Sequence, residues 1–149
     1  MITLPEYWTG RDDTYADQLT DTIRNNAADL LGKVNLLLSW AKNDGIRAEY
    51  VASGWRPAAV NDATAHAAPG SKHLTGDAVD LRDNGVRDLA RWCLRNQDAL
   101  EEIGLWMEDP KWTPTWVHLQ RVPPGSRRRV YVPSTAPALC AALPEQEAA

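Results

Sequence analysis

The most regular hydrophobic pattern lies between residues 20 and 43. Ile23, Ala27, Leu30, Leu31, Val34, Leu38 and Ala41 recur at helical spacing with polar residues between them. Thr20 and Asp21 suit the start of that helix and Gly45 its end. A second helical pattern runs from Val86 to Leu100, with Leu89, Ala90, Cys93, Leu94 and Leu100 as its apolar face. Between the two helices the period changes. Ile46–Ser53 has strand character and ends at Gly54-Trp55-Arg56-Pro57; Ala58–Ala65 reads as a short helix and residues 67–72 as a loop. Asp77–Leu81 reads as a strand, with Ala78 and Asp80 on one face and Val79 and Leu81 on the other. Asn84-Gly85 is a turn that joins this strand to the second helix.

The rest of the chain adds strands. Gly104–Met107 is a short one, Asp109-Pro110 opens a loop, and Trp116–Gln120 alternates so that Trp116, His118 and Gln120 share a face. Pro123-Pro124-Gly125 makes a turn, from which Val130–Val132 returns as a last strand. Residues 1–19 read as an irregular arm anchored by Tyr7 and Trp8, and residues 133–149, rich in Pro, Ala and Glu, as a loose tail. This order predicts an α+β domain over residues 1–132, a small, mostly antiparallel sheet packed with two main helices.

Composition narrows the function classes. With 149 residues, 44% hydrophobic and 24% charged, the chain has the make-up of a soluble globular domain. A net charge of -4 argues against nucleic acid as a partner. The longest apolar run, Val34 to Trp40, is interrupted by Asn35 and Ser39 and falls short of a membrane span. The start, M-I-T-L-P-E-Y-W, lacks the basic and apolar regions of a signal peptide, so synthesis in the cytoplasm is expected. Cys93 and Cys140 read as free thiols. There are seven Trp and no Phe; Trp55, Trp106, Trp112 and Trp116 flank the polar motifs, either as core or as the wall of a cleft.

Chemistry concentrates on two motifs. Histidine occurs only at positions 66, 73 and 118. His73 lies in S-K-H-L-T-G-D-A-V-D, Ser71 to Asp80, and His118 in W-V-H-L-Q. His73, Asp80 and His118 form a candidate zinc set of three ligands, which leaves a fourth position open as a hydrolase requires. Gly76 allows the sharp turn that lets Asp80 meet His73.

These motifs, preceded by S-G-W-R-P at Ser53 to Pro57, resemble the zinc D-Ala-D-Ala carboxypeptidase and phage endolysin family. The family shares its fold with lysostaphin-type peptidases and the hedgehog signalling domain. The middle motif matches the family's S-x-H-x-x-G-x-A-x-D at every fixed position, and the resemblance covers roughly residues 20–132. It implies a hedgehog/DD-peptidase-like fold, Zn2+ held by His73, Asp80 and His118, and hydrolysis of peptidoglycan stem peptides. It implies that Arg56 sits beside the metal and binds substrate and that Ser71 supports the site or contacts substrate; on the cleft-wall reading of the tryptophans, Trp55 and Trp116 would bind substrate as well. The site of action would be the cell wall or a virion, with phage structural proteins as further candidate partners.

One position departs from the pattern. Many family members place a glutamate three residues before the second histidine, where this chain has Thr115, a hydroxyl that cannot serve as a general base near neutral pH. Glu108 is the favoured replacement; Asp109 and His66 are the alternatives. A further alternative is a non-catalytic virion or wall-binding protein that retains the zinc fold. Arg127-Arg128-Arg129 is either a solvated turn or a contact for an anionic polymer.

Overall fold

A computed structural model describes residues 1–134. It contains a five-stranded mixed sheet and six α-helices, a small α+β fold as the periodicity predicts. The long helix α3, Asp21–Asn43, is capped by the Thr20 hydroxyl, which accepts the Ile23 N–H. Ala27, Leu30, Leu31, Val34, Leu37 and Ala41 are its buried positions. Leu37 takes the core place expected of Leu38, which is only partly buried.

The sheet order is β1-β2-β4-β3-β5, from Val51–Ser53 (β1), Ala78–Arg82 (β2), Trp106–Glu108 (β3), Trp116–Gln120 (β4) and Val130–Tyr131 (β5). All neighbours are antiparallel except β3 and β5, which run parallel. Val79, Leu81, Met107, Val117 and Leu119 join α3 in the core. The alternate positions Asp80, Glu108, His118 and Gln120 therefore share the opposite face.

Three expectations need correction. The N-terminal arm is helical rather than irregular: α1 is Leu4–Trp8, α2 is Arg11–Thr14, and a 3-10 turn spans Ala16–Gln18. The cause is local. Thr3 and Glu6 form a reciprocal capping box, and Pro5 suits the first turn. Tyr7 and Trp8 are buried anchors as expected. The second helix is broken into α5, Asp88–Arg95, and α6, Gln97–Ile103. Asn96 breaks it: its side chain donates to the Trp92 carbonyl at 2.8 Å while its own backbone leaves helical geometry. Leu94, expected on the buried face, is exposed. The strand expected from Ile46 begins only at Val51, although Glu49 and Tyr50 still bond to Arg82.

The short helix α4, Ala58–Ala63, and the Asn84-Gly85 junction follow the expectation. Cys93 is free and buried. Cys140 and the expected tail from residue 135 onward lie outside the described residues. Among the described residues no helix is long and apolar enough to cross a membrane.

Gly54, between β1 and α4, is the tightest point of the fold. A Cβ there would lie 1.9 Å from the Tyr7 carbonyl oxygen and 2.8 Å from Tyr7 Cδ2. Backbone cannot yield as a flexible side chain does. We expect Gly54→Ala to destabilise the protein by about 1–3 kcal/mol or more, read from urea unfolding. An unchanged midpoint would contradict the packing of α1 against β1.

Candidate metal centre

The loop after α4 leads into a 3-10 turn, Lys72–Thr75, that carries His73. Ser71 caps the turn, its hydroxyl accepting the His73 N–H at 3.3 Å. Gly76 then takes φ 77°, where a Cβ would lie 2.8 Å from the Ile23 carbonyl oxygen. The chain reverses there into β2 and brings Asp80 back toward His73. Arg121 ties this reversal to α3: its guanidinium donates to Asp77 Oδ1 at 2.6 Å and to Asp29 at 3.0 Å. In β4, His118 is the cross-strand partner of Asp80.

The result is a buried cluster in which one ligand atom each from His73, Asp80 and His118 lies within 4.8 Å of the others. Asp80 Oδ1 is 3.2 Å from His73 Nε2 and 2.9 Å from His118 Nδ1. The hydrogen bonds behind the two rings decide what these atoms are. His73 Nδ1 lies 2.7 Å from the Gly54 carbonyl oxygen, which only accepts, so the ring proton sits on Nδ1. His73 Nε2 is then a buried lone pair without a hydrogen-bond donor. His118 Nε2 lies 2.9 Å from Gln120 Oε1, again an acceptor, which leaves Nδ1 to face Asp80.

Two imidazole nitrogens and a carboxylate oxygen therefore converge as acceptors. Such a group repels itself unless a cation sits among them. The metal-free protein meets this need with protons. Burial opposes charge on His118, but its hydrogen bond to Asp80 and the nearby Glu108 carboxylate outweigh burial and raise its pKa. Burial lowers the pKa of His73 despite Asp80 and leaves that ring neutral. Burial also opposes ionisation of Asp80, yet His73 and His118 hold its carboxyl well below the usual carboxylate range. The orphaned His73 nitrogen is the observation that makes the cluster fit a divalent metal better than a purely structural ion pair.

The other expected site residues divide. Arg56 lies beside the cluster, where Nη2 donates to Asp80 Oδ2 at 2.9 Å and Nε to Ser53 Oγ at 3.0 Å. Its guanidinium is thus committed to a ligand. Trp116 is half-buried on the His118 face of β4. Trp55 does not line a cleft: it is 1% exposed, meets Trp8 edge-on, and donates Nε1–H to the Leu74 carbonyl. This corrects its assignment to substrate, because Trp8 of α1 packs against the ring and the side chain is buried.

Of the three candidate bases, the structure brings one to the cluster. Glu108 Oε2 lies 3.9 Å from His118 Nδ1, and the side chain keeps 18% exposure, enough for water to reach it. Burial, with Asp80 nearby, raises its pKa above 4.5 although His118 and Arg56 oppose the rise. Asp109 instead caps the next 3-10 turn through the Lys111 N–H. His66 is exposed on the loop after α4, and Thr115 is exposed in the turn before β4. Arg129 stacks its guanidinium 4.3 Å from the Trp106 ring centroid and donates to the Leu105 carbonyl, while Arg127 and Arg128 are exposed.

Sequence reasoning missed the groups that hold the ligands: Gly54, Gln120 and Tyr131. Only Gln120 had a visible signal, two positions from His118 on the same strand face. Comparison of the chain with family models, curated proteins and solved structures gave no match.

Proposed function

We propose that the chain is a zinc peptidase that hydrolyses peptide bonds of bacterial peptidoglycan, as a D-Ala-D-Ala-type carboxypeptidase or an endopeptidase. The observation that carries this reading is a solvent-accessible carboxylate, Glu108, beside a buried set of three converging acceptors. His73, Asp80 and His118 would hold zinc, which when bound supplies Lewis-acid activation of water and polarisation of the scissile carbonyl. Imidazole and carboxylate donors suit zinc, and the motif resemblance points the same way.

The chain's own residues supply the rest. Glu108 takes the proton of the attacking water at Oε2 and returns it to the leaving amine. Burial and the raised pKa favour the uptake of that proton, because they stabilise the protonated carboxyl, and the more basic leaving amine then removes it. Arg56 holds Asp80 in place and offers positive charge near developing negative charge on the substrate oxygen. Trp116, half-buried on the His118 face of β4, would pack on the peptide.

The test compares D-Ala-D-Ala dipeptide, stem peptides and intact sacculi as substrates of zinc-loaded protein. New amino groups are expected from stem peptides or sacculi, and none from His73→Ala. A folded, zinc-bound protein that binds sacculi without releasing amino groups would instead favour the binding-module reading that Thr115 motivates. Turnover of the free dipeptide alone would point to a small-dipeptide hydrolase.

A further inference from the structure

The polar group behind His118 is built to a tighter specification than core packing requires. Gln120 is 4% exposed, and all of its amide atoms are engaged. Its Nε2 donates to the Val122 carbonyl at 2.7 Å. That bond fixes which way the amide points, since a carbonyl cannot donate. Gln120 Oε1 then receives two donors: Tyr131 Oη–H at 2.7 Å and His118 Nε2–H at 2.9 Å. Tyr131, 8% exposed, also sets its ring edge-on to His118, with centroids 6.4 Å apart.

We infer that Gln120, locked by Tyr131 and the Val122 carbonyl, is a positioning residue that keeps the His118 ring proton on Nε2 and so sets the metal affinity of the cluster. This rests on the metal-centre reading, not on peptide hydrolysis. The two histidines use different ring atoms. His73 is steered by a backbone carbonyl and presents Nε2; His118 is steered by a side chain and presents Nδ1. A backbone carbonyl always accepts. An amide side chain accepts only while something holds it, and Tyr131 and Val122 do so here. Without that hold, Asp80 Oδ1, 2.9 Å from Nδ1, would draw the proton of the neutral His118 ring to that nitrogen and present N–H toward the metal position.

Zinc affinity, measured by competition with a chromogenic chelator, is one readout. The other is the protonation of each His118 ring nitrogen, read by 15N NMR on zinc-free protein at a pH where the ring is neutral. Gln120→Leu is expected to weaken zinc binding by about 10–100-fold, the range for loss of an outer-shell partner. Its His118 would shift toward Nδ1–H, which Asp80 Oδ1 accepts at 2.9 Å, relative to a wild type in which Gln120 keeps Nε2–H populated. Gln120→Glu, whose carboxylate always accepts although it cannot donate to the Val122 carbonyl, is expected to restore the Nε2–H tautomer. Tyr131→Phe, which removes only the hydroxyl, is expected to give a smaller loss of the same kind, and it decides the question if Gln120→Leu does not fold. Folded variants with wild-type zinc affinity and an unchanged Nε2–H tautomer would overturn the inference. Loss of thermal stability with both readouts unmoved would mean that the network serves packing alone. If the wild type took up no zinc, the metal-centre reading would fall, while the tautomer readout would still judge the role of Gln120.

Discussion

Glu108→Gln is expected to lower turnover by about 10²–10⁴-fold, the usual contribution of a positioned general base, and to leave zinc binding intact. The amide is isosteric with the carboxylate and cannot accept a proton from water. Glu108 lies outside the ligand triad, 3.9 Å from His118 Nδ1, so its loss removes no ligand. The half-buried side chain also loses its negative charge, which relieves rather than creates a desolvation cost. The variant should therefore fold at least as well as the wild type. Amino-group release and zinc content measured on the same preparation check the prediction. Equal turnover in both proteins would remove Glu108 from the mechanism and return the question to His66 and Asp109.

Asp80→Asn is expected to abolish tight zinc binding and to destabilise the metal-free protein. Asp80 accepts from Arg56 on Oδ2 and faces both histidines on Oδ1. Both partners in the Arg56 pair are buried, so the neutral replacement leaves a guanidinium without its counter-charge. Breaking a buried pair in this way costs about 3–5 kcal/mol. The pH dependence follows from the lowered Asp80 pKa. The stability it contributes is present above the ordinary value of 3.8 and is lost as pH falls toward the lower folded value. Urea unfolding of metal-free protein should show this acid loss in the wild type, and Asp80→Asn should lack that part of it. A variant as stable as the wild type at neutral pH would contradict the role of the pair.

What was legible in the sequence was whatever depends on near neighbours. Helix α3 was readable because its period holds over six turns and Thr20 marks its start. The His73–Asp80 geometry was readable because one turn at Gly76 joins them. The broken second helix was not, because Asn96 ends it through its own side chain and neither Gly nor Pro marks the place. The N-terminal helix had its capping box in plain view, but five residues carry too little periodicity to outweigh an irregular reading. Trp55 was misread because its cover, Trp8, lies 47 positions earlier in the chain. The Tyr131–Gln120–His118 chain depends on β5 returning parallel to β3, a pairing that no local pattern encodes. Glu108 stands between these cases. The motif's usual position for a base holds Thr115, which cannot serve, but Glu108 ends the strand expected beside that of His118, and the antiparallel pairing of β3 with β4 brings it there.

His73, Asp80 and His118, three buried acceptors, are proposed to form one divalent-metal site. Titration of metal-free protein with zinc, alongside His118→Ala, tests it most directly. One tightly bound zinc per wild-type chain is expected, with proton release on binding from the displaced His118 proton and loss of tight binding in the variant. No saturable binding by the wild type, or equal affinity in His118→Ala, would contradict it.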